Sequence, residues 1–398
     1  MTLAIFGGKP VRDTFLSYGR QYIDEEDIRH VVNILKSNYL TTGPSIKAFE
    51  DKVASYVNAR YAVAVSNGTA ALHTALYGCE VKEGDEVIVT PMTFAASSNA
   101  ILYLGAKPVF ADIDPVTYNI DPKDIERKIT EKTTAIVTVD FAGLPVDLEG
   151  ILKIKEKYKL KVVEDAAHAL GSEYKGKKVG GYVDVTTFSF HPVKPITTGE
   201  GGMITTNNPD IYQKMHSFRT HGITRQRDQF CNIDEGPWYY EQQALGYNYR
   251  MTDIQAALGL SQMNKIDQFI DKRRKIAQLY NEAFRELEGV ITPYESKDTK
   301  SGYHIYVIRL DLKRFKKARR EIYEALIAEN IGVNVHYIPV YYHPYYRELG
   351  YQKGICPHAE QVYETMLTLP LYPSMSDRDI EDVIKAVYKV IQYYLMDK

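Results

Sequence analysis

Cysteine, tryptophan, net charge and long apolar runs are all scarce in this 398-residue chain, and each scarcity narrows what it can do. The three cysteines, Cys79, Cys231 and Cys356, are scattered without paired spacing. That argues against a disulfide framework and a structural zinc, and it fits a reducing cytoplasm. The formal net charge of −2 gives no electrostatic case for nucleic acid or an anionic membrane. No apolar run approaches the roughly 18–20 residues needed to span a bilayer. The N-terminal stretch lacks the basic start and long apolar run of a signal peptide, so the expected location is the cytoplasm. No G-x-G-x-x-G fingerprint, Walker loop or H-E-x-x-H helix is present. Dinucleotide, nucleoside-triphosphate and metal readings therefore lose their main support, and no metal site is expected.

What the chain does have is a soluble-protein balance, 44% hydrophobic and 25% charged. At this length two domains, one large and one small, are the expectation. Tyrosine is abundant, at 32 residues, and suits cores and interfaces whose hydroxyls end at a wet edge.

The first two-thirds alternates short β-branched runs with amphipathic stretches. Ile46, Phe49, Val53 and Val57 mark one helical face, residues 61–65 read as a buried strand, and a helix starts at Gly68. Further strands are expected at 86–90, 108–112, 135–140, 161–164, 186–190 and 203–206. Such alternation predicts a mainly parallel sheet with helices on both faces, whose ligands sit outside the carboxyl ends of the strands. Residues 252–287 read as two helices leading to a second domain. Strands at 305–310 and 333–337, a charged helix around 316–329 and a final helix over 377–395 make that domain a smaller α+β unit. The division is placed between a large domain, residues 1–265, and a linking helix with small domain, residues 266–398.

Four strand-end loops carry the chemistry. Val65-Ser66-Asn67-Gly68-Thr69-Ala70-Ala71 ends a strand and opens a helix, so its free amides and the positive helix end suit a phosphate. An ordinary strand–helix cap is the alternative. Phe94, just past the strand ending at Thr90, could stack on a flat ring, although taken alone a core position is the better expectation. Glu164-Asp165 ends an apolar strand, with His168 three residues after Asp165. A carboxylate there can hold a proton on a pyridine nitrogen, and helix capping is its plainer role. Ser189-Phe190-His191-Pro192-Val193-Lys194 ends the next apolar run and is followed by the glycine-rich Gly199-Glu200-Gly201-Gly202. Lys194 can be partly desolvated there, freeing its amine to form a Schiff base, and Ser189 can donate to a phosphate. Phosphate cradle, stacking ring, carboxylate and lysine together name pyridoxal 5′-phosphate.

The sequence resembles the sugar-nucleotide aminotransferases of the DegT/DnrJ/EryC/StrS family, which are fold-type-I, pyridoxal-phosphate-dependent enzymes. The resemblance covers nearly the whole chain. Its most specific segments are Glu164-Asp165-Ala166-Ala167-His168-Ala169-Leu170-Gly171-Ser172, the Lys194 loop, and Gly246-Tyr247-Asn248-Tyr249-Arg250-Met251-Thr252-Asp253-Ile254-Gln255-Ala256-Ala257. It implies Lys194 as the Schiff-base lysine and Asp165 as partner of the pyridine nitrogen. It implies Gly68, Thr69 and Ser189 as phosphate contacts, Phe94 as the ring stacker and His168 near the ring's hydroxyl side. Asn248 matches an asparagine that reaches the phosphate from a neighbouring subunit, which implies a homodimer with shared sites.

Within the family the finer resemblance is to transaminases that form UDP-4-amino-4,6-dideoxy-N-acetyl-β-L-altrosamine for pseudaminic acid. It is carried by Val139-Asp140-Phe141-Ala142-Gly143, by His168-Ala169-Leu170-Gly171-Ser172-Glu173-Tyr174 and by Lys194-Pro195-Ile196-Thr197-Thr198. It implies a UDP-sugar and L-glutamate as substrates. It also implies a sugar pocket lined by Tyr18, by Asn38, Tyr39, Leu40 and Thr41, and by Val340, Tyr341, Tyr342 and His343. Relatives that aminate UDP-4-keto-6-deoxy-GlcNAc or a UDP-4-keto-pentose share nearly the same motifs. A non-catalytic regulator that binds the cofactor is the alternative of another class. Intact Lys194, Asp165 and His168, and the absence of a basic DNA-binding extension, weigh against it.

Overall fold

The computed structural model describes residues 2–232 and 235–396. After α1 (Glu25–Leu35) and α2 (Pro44–Val57), the chain enters β1 (Tyr61–Val65) and turns straight into α3 (Gly68–Gly78). Strands β2 (Glu86–Val89), β3 (Lys107–Phe110), β4 (Thr133–Val139) and β5 (Lys161–Asp165) follow, with α4 (Ala96–Leu102), α5 (Pro122–Lys128) and α6 (Leu148–Tyr158) between them. Then come β6 (Val185–Ser189), β7 (Gly202–Thr206) and α7 (Pro209–Phe218). These seven strands form one sheet in the order β1-β7-β6-β5-β4-β2-β3. Only β7 runs antiparallel to its neighbours, β1 and β6. The sheet expected from the alternation is therefore present, with one reversed strand.

Period-2 side-chain alternation divides the strands between two apolar layers. Val87, Val137, Val163 and Val185 face α3, which presents Ala71, Ala75 and Leu76. Ile88, Ile136 and Val162 face the opposite way, toward Ile151 and Ile154 of α6. On the β1–β7 side, Ala62, Ala64 and Met203 pack on Phe49 and Val53 of α2. The helical face read from Phe49, Val53 and Val57 is thus the buried face of α2.

The helical zone after residue 250 breaks at Asn264 and Lys265 into α8 (Asp253–Met263) and α9 (Ile266–Phe284). Beyond it lie β8 (Val290–Ile291), β9 (Tyr306–Leu310), α10 (Arg319–Ala328), α11 (Pro344–Glu348), α12 (Pro357–Thr365), β10 (Met366–Leu369) and α13 (Asp377–Tyr394). β8, β9 and β10 form a small antiparallel sheet. Its residues Ile308, Leu367 and Leu369 share a core with Ile322 and Leu326 of α10 and Val383 and Val387 of α13.

One expectation needs correction. Residues 333–337 are not a strand: only Asn334 makes a bridge, to Thr368. The neighbouring side chains are drawn elsewhere, His336 to Thr368 Oγ1 at 2.9 Å and Tyr337 to His168. The strands that do border β9 are β8 and β10.

The N-terminal arm crosses this C-terminal part. Leu3 and Leu16 lie in its core. The fully buried Glu329 carboxylate accepts the amides of Ala4 and Val11, each at 2.9 Å, and pairs with Lys389 at 2.8 Å. The arm then carries Tyr18 toward the carboxyl ends of the large-sheet strands.

Candidate active site

Where β1, β5 and β6 end, their loops enclose a cavity of about 740 Å³. The loop after β1 reaches it first. Asn67 caps α3 by accepting the Ala70 amide at 2.8 Å. That leaves the amides of Gly68 and Thr69, at the first two helical positions, without intrahelical partners. A side chain at position 68 would meet Ser189: a Cβ there would lie 2.9 Å from the Ser189 Cβ. Gly68, Thr69 and Ser189 all line the cavity, and together they form a small cradle with free donors.

Asp165, the last residue of β5, is buried. Ser97 Oγ donates to its Oδ2 at 2.7 Å and the Ala167 amide to its Oδ1 at 3.2 Å. Burial pushes the Asp165 carboxyl up, while those donors and the Lys194 charge pull it back toward ionisation. Lys194 lines the same cavity, and burial lowers its ammonium to about 8 against the opposing attraction of Asp165. A lysine so placed supplies a neutral amine near physiological pH.

His168 is buried, with Nε2 3.1 Å from the Tyr337 hydroxyl and Nδ1 without a partner. Its ring centroid is 4.3 Å from that of His304, whose Nδ1 is also unpartnered. Burial first, and then the Lys194 charge, holds His168 well below the ordinary histidine range and keeps it neutral. The same causes lower His336 to about 4.

Phe94 is 65% exposed and lines the cavity, so a core position is wrong for it. It stands just past β2 with its ring open to a ligand. Tyr18 lines the cavity too, its ring 5.3 Å from His336. Asn38, Tyr39, Leu40 and Thr41 are exposed and outside this cavity, as is Asn248. Val340 and Tyr341 are corrected: both are fully buried in the core, with Tyr341 Oη donating to Glu360 at 2.7 Å. Tyr342 and His343 are half-buried and do not line the cavity either. The side chains from this stretch that do line it are His336 and Tyr337. Sequence reasoning also missed Ser97 and His304, which no local motif marks.

The donor set fits pyridoxal phosphate. It offers free amides and hydroxyls for a phosphate, an exposed aromatic ring, a buried hydrogen-bonded carboxylate for a ring nitrogen and a lysine with a depressed pKa. The buried, unpartnered Nδ1 atoms of His168 and His304 are groups in this wall that a ligand's polar atom would satisfy.

Comparison with known proteins agrees. Residues 21–388 match the profile of the DegT/DnrJ/EryC1/StrS aminotransferase family. The chain is 40% identical over 366 residues to the GDP-perosamine synthase of Escherichia coli O157:H7, covering 92% of this chain and 94% of that protein. It is 37% identical over 381 residues to a UDP-4-amino-4,6-dideoxy-N-acetyl-beta-L-altrosamine transaminase of Campylobacter jejuni, covering 95% and 98%. Among solved structures, the aminotransferase PseC of Helicobacter pylori, involved in the biosynthesis of pseudoaminic acid, superposes with a TM-score of 0.89 at 33% identity. That match covers 96% of this chain and 100% of PseC.

Proposed function

The chain belongs to the DegT/DnrJ/EryC1/StrS aminotransferase family, and from that premise we propose which amino transfer it performs. L-Glutamate gives its amino group, and the acceptor is C4 of a UDP-linked 4-keto-6-deoxy-N-acetylhexosamine. The product is UDP-4-amino-4,6-dideoxy-N-acetyl-β-L-altrosamine, on the route to pseudaminic acid. The observation that carries the chemistry is Lys194 lining one cavity with Asp165, its ammonium lowered to about 8. Likeness to the Campylobacter transaminase and to PseC supports the choice of sugar.

Pyridoxal phosphate, when bound, supplies a carbonyl for the amine and an electron sink for the carbanion. Gly68, Thr69 and Ser189 would hold its phosphate, Phe94 its ring face, Asp165 its ring nitrogen and His168 its hydroxyl side. Asp165 acts by staying ionised, with Ser97 and the Ala167 amide holding its oxygens in place. Lys194 is the catalytic residue: its Nζ takes and returns a proton once it is neutral. The walls contributed by Tyr337, His304 and His336 limit water around that transfer.

Asn248 is exposed and lies outside its own cavity, which suits a residue serving the phosphate of a neighbouring subunit. We therefore take the working unit to be a homodimer with shared sites. Asn38, Tyr39, Leu40, Thr41, Tyr342 and His343 would then flank the nucleotide sugar there, while Tyr18 does so from within. We place the enzyme in the cytoplasm, in keeping with its unpaired cysteines. We divide the chain into a cofactor-binding part, residues 1–265, and a smaller part, residues 266–398.

An absorbance cycle tests the reading. Protein loaded with pyridoxal phosphate is treated with L-glutamate until the aldehyde-form band is lost. Glutamate is removed and nucleotide ketosugars are added singly. Return of the band with the UDP-linked β-L-arabino ketosugar alone is the expected result. Return with the D-xylo epimer, or with a GDP-linked ketosugar, would refute the choice of sugar and keep the chemistry. Identity to a GDP-perosamine synthase makes the GDP arm a necessary one.

A further inference from the structure

Beside the Lys194 loop lies a second, much smaller cavity. Arg20 and Gln21 of the N-terminal arm, Lys194 and Thr197 of the loop, Gln262 of α8 and Arg273 of α9 line it. Lys194 also lines the main cavity, so the two spaces share that residue as a wall. The volume of the small cavity is about 10 Å³, against about 740 Å³ for the main one. That is room for a single body of about the size of a water molecule.

Arg273 is 1% exposed. Its three hydrogen bonds all come from Nη1, to the carbonyls of Tyr303 at 3.4 Å, His304 at 3.0 Å and Leu371 at 3.2 Å. Its Nε is buried without a partner. The adjacent Arg274 pairs with Glu295 at 2.7 Å, whereas Arg273 pairs with no carboxylate among the described residues. Burial lowers the Arg273 guanidinium to about 10, with no acidic group pulling it back. At neutral pH it is thus a buried cation with a free donor and no countercharge.

The rest of the wall adds positive charge, from Arg20 and Lys194, and none of the described residues lining the cavity is acidic. Gln262 Nε2 donates to the Tyr22 carbonyl at 3.0 Å and to Asp27 at 2.7 Å, and Asp27 is itself paired with Lys265 at 2.8 Å. A water molecule in this space would satisfy Nε and leave the charge of Arg273 unopposed. A small anion does both, because a bond from a guanidinium to an anion is charge-assisted and the low local dielectric strengthens the attraction. We propose that this cavity is a binding site for a single chloride ion, held between Arg273 and Arg20. Sulfate and phosphate carry four oxygens around a central atom and exceed the space, so the site selects by size as well as by sign. The bound ion ties the N-terminal arm, the Lys194 loop and α9 to one point.

The test is made on the pyridoxal-phosphate-loaded protein, with sodium chloride or bromide exchanged for sodium gluconate at constant ionic strength. Thermal unfolding is expected to show a saturable gain in stability. At about ten times the half-saturating chloride, the unfolding constant falls about tenfold. Diffraction from crystals grown in bromide is expected to show an anomalous peak beside Arg273. Arg273→Gln keeps donors for the carbonyls and drops the charge, and it is expected to lose the chloride response. Arg20→Gln, on the exposed side of the cavity, is expected to weaken half-saturation several-fold, and it serves alone should Arg273→Gln fail to fold. Identical unfolding in chloride and gluconate, bromide peaks only at other places, or the same chloride response in wild type and variants would overturn the proposal. A sulfate response that saturates and disappears with the Arg273 charge would overturn it too. Neither readout involves amino transfer, so a failure of the substrate reading is separately visible.

Discussion

Removing the hydroxyl of Ser97 tests whether Asp165 works as an anion. The Ser97 Oγ donates to Asp165 Oδ2 at 2.7 Å, and both groups are buried. A hydrogen bond to a charged group contributes about 1.5–3 kcal/mol. Because this one favours the ionised carboxylate, its loss makes protonation of Asp165 about ten- to a hundredfold easier. Ser97→Ala also leaves Thr93 Oγ1 without its 2.7 Å partner, a smaller neutral loss. Water does not readily replace the hydroxyl, since Ser97 is 1% exposed. The expected outcome is a kcat profile whose acid limb moves to higher pH by about one unit or more, with the plateau largely retained. The assay is amino transfer from L-glutamate across the acid range, with cofactor occupancy checked by absorbance at each pH. Ser97→Thr should restore the wild-type limb if its hydroxyl occupies the same place. An acid limb identical in wild type and Ser97→Ala would refute the reasoning, because Asp165 would then not be the group whose ionisation limits turnover.

Lys194→Ala is expected to abolish turnover while pyridoxal phosphate is still retained by the cradle, checked by steady-state assay and cofactor content; near-normal kcat would sink the assignment. With the Lys194 amine at about 8, uptake of pyridoxal phosphate by the apoprotein should accelerate as pH rises through about 8, because only the neutral amine attacks a carbonyl. Gly68→Ala places a Cβ 2.9 Å from the Ser189 Cβ, and the resulting overpacking of about 1–3 kcal/mol should weaken cofactor binding roughly ten- to a hundredfold, measured by equilibrium titration. Glu329→Ala takes the acceptor from two half-buried amides and leaves the Lys389 ammonium with the Lys9 carbonyl alone, and should cost about 1–3 kcal/mol in denaturant unfolding.

Lys194 and Asp165 were legible in the sequence because their signal is local. Asp165 ends an apolar strand and Lys194 follows another by five residues, and a strand end in a mainly parallel sheet is where ligands bind. Gly68 was legible for the same reason, as the first residue after a strand and its turn. Phe94 was readable as an aromatic at a strand end, but its exposure was not, since the open cavity is made by residues far along the chain. Tyr337 and His168 meet across 169 positions, and Ser97 and Asp165 across 68. No periodicity announces such pairs. The stretch from Asn334 to Tyr337 has strand-like composition, yet Thr368 and His168 compete for its polar side chains, so tertiary bonds replaced a ladder. Val340 and Tyr341 fell on the wrong side of the wall for a related reason: their apolar bodies complete the core near Phe110, leaving the cavity to residues a few positions earlier.

The tether at Glu329 bears on how the molecule comes off the ribosome. Ala4 and Val11 find their acceptor 325 and 318 residues downstream. At about 5–20 residues per second, the first dozen residues wait some 15–60 s for that carboxylate to be synthesised. During that interval Leu3 and Leu16 have no core to enter, since the residues that bury them are also still to come. Leu3 and Leu16 thus stay without their core until α10 and α13 have been made, so this apolar segment is among the last parts of the fold to be fixed.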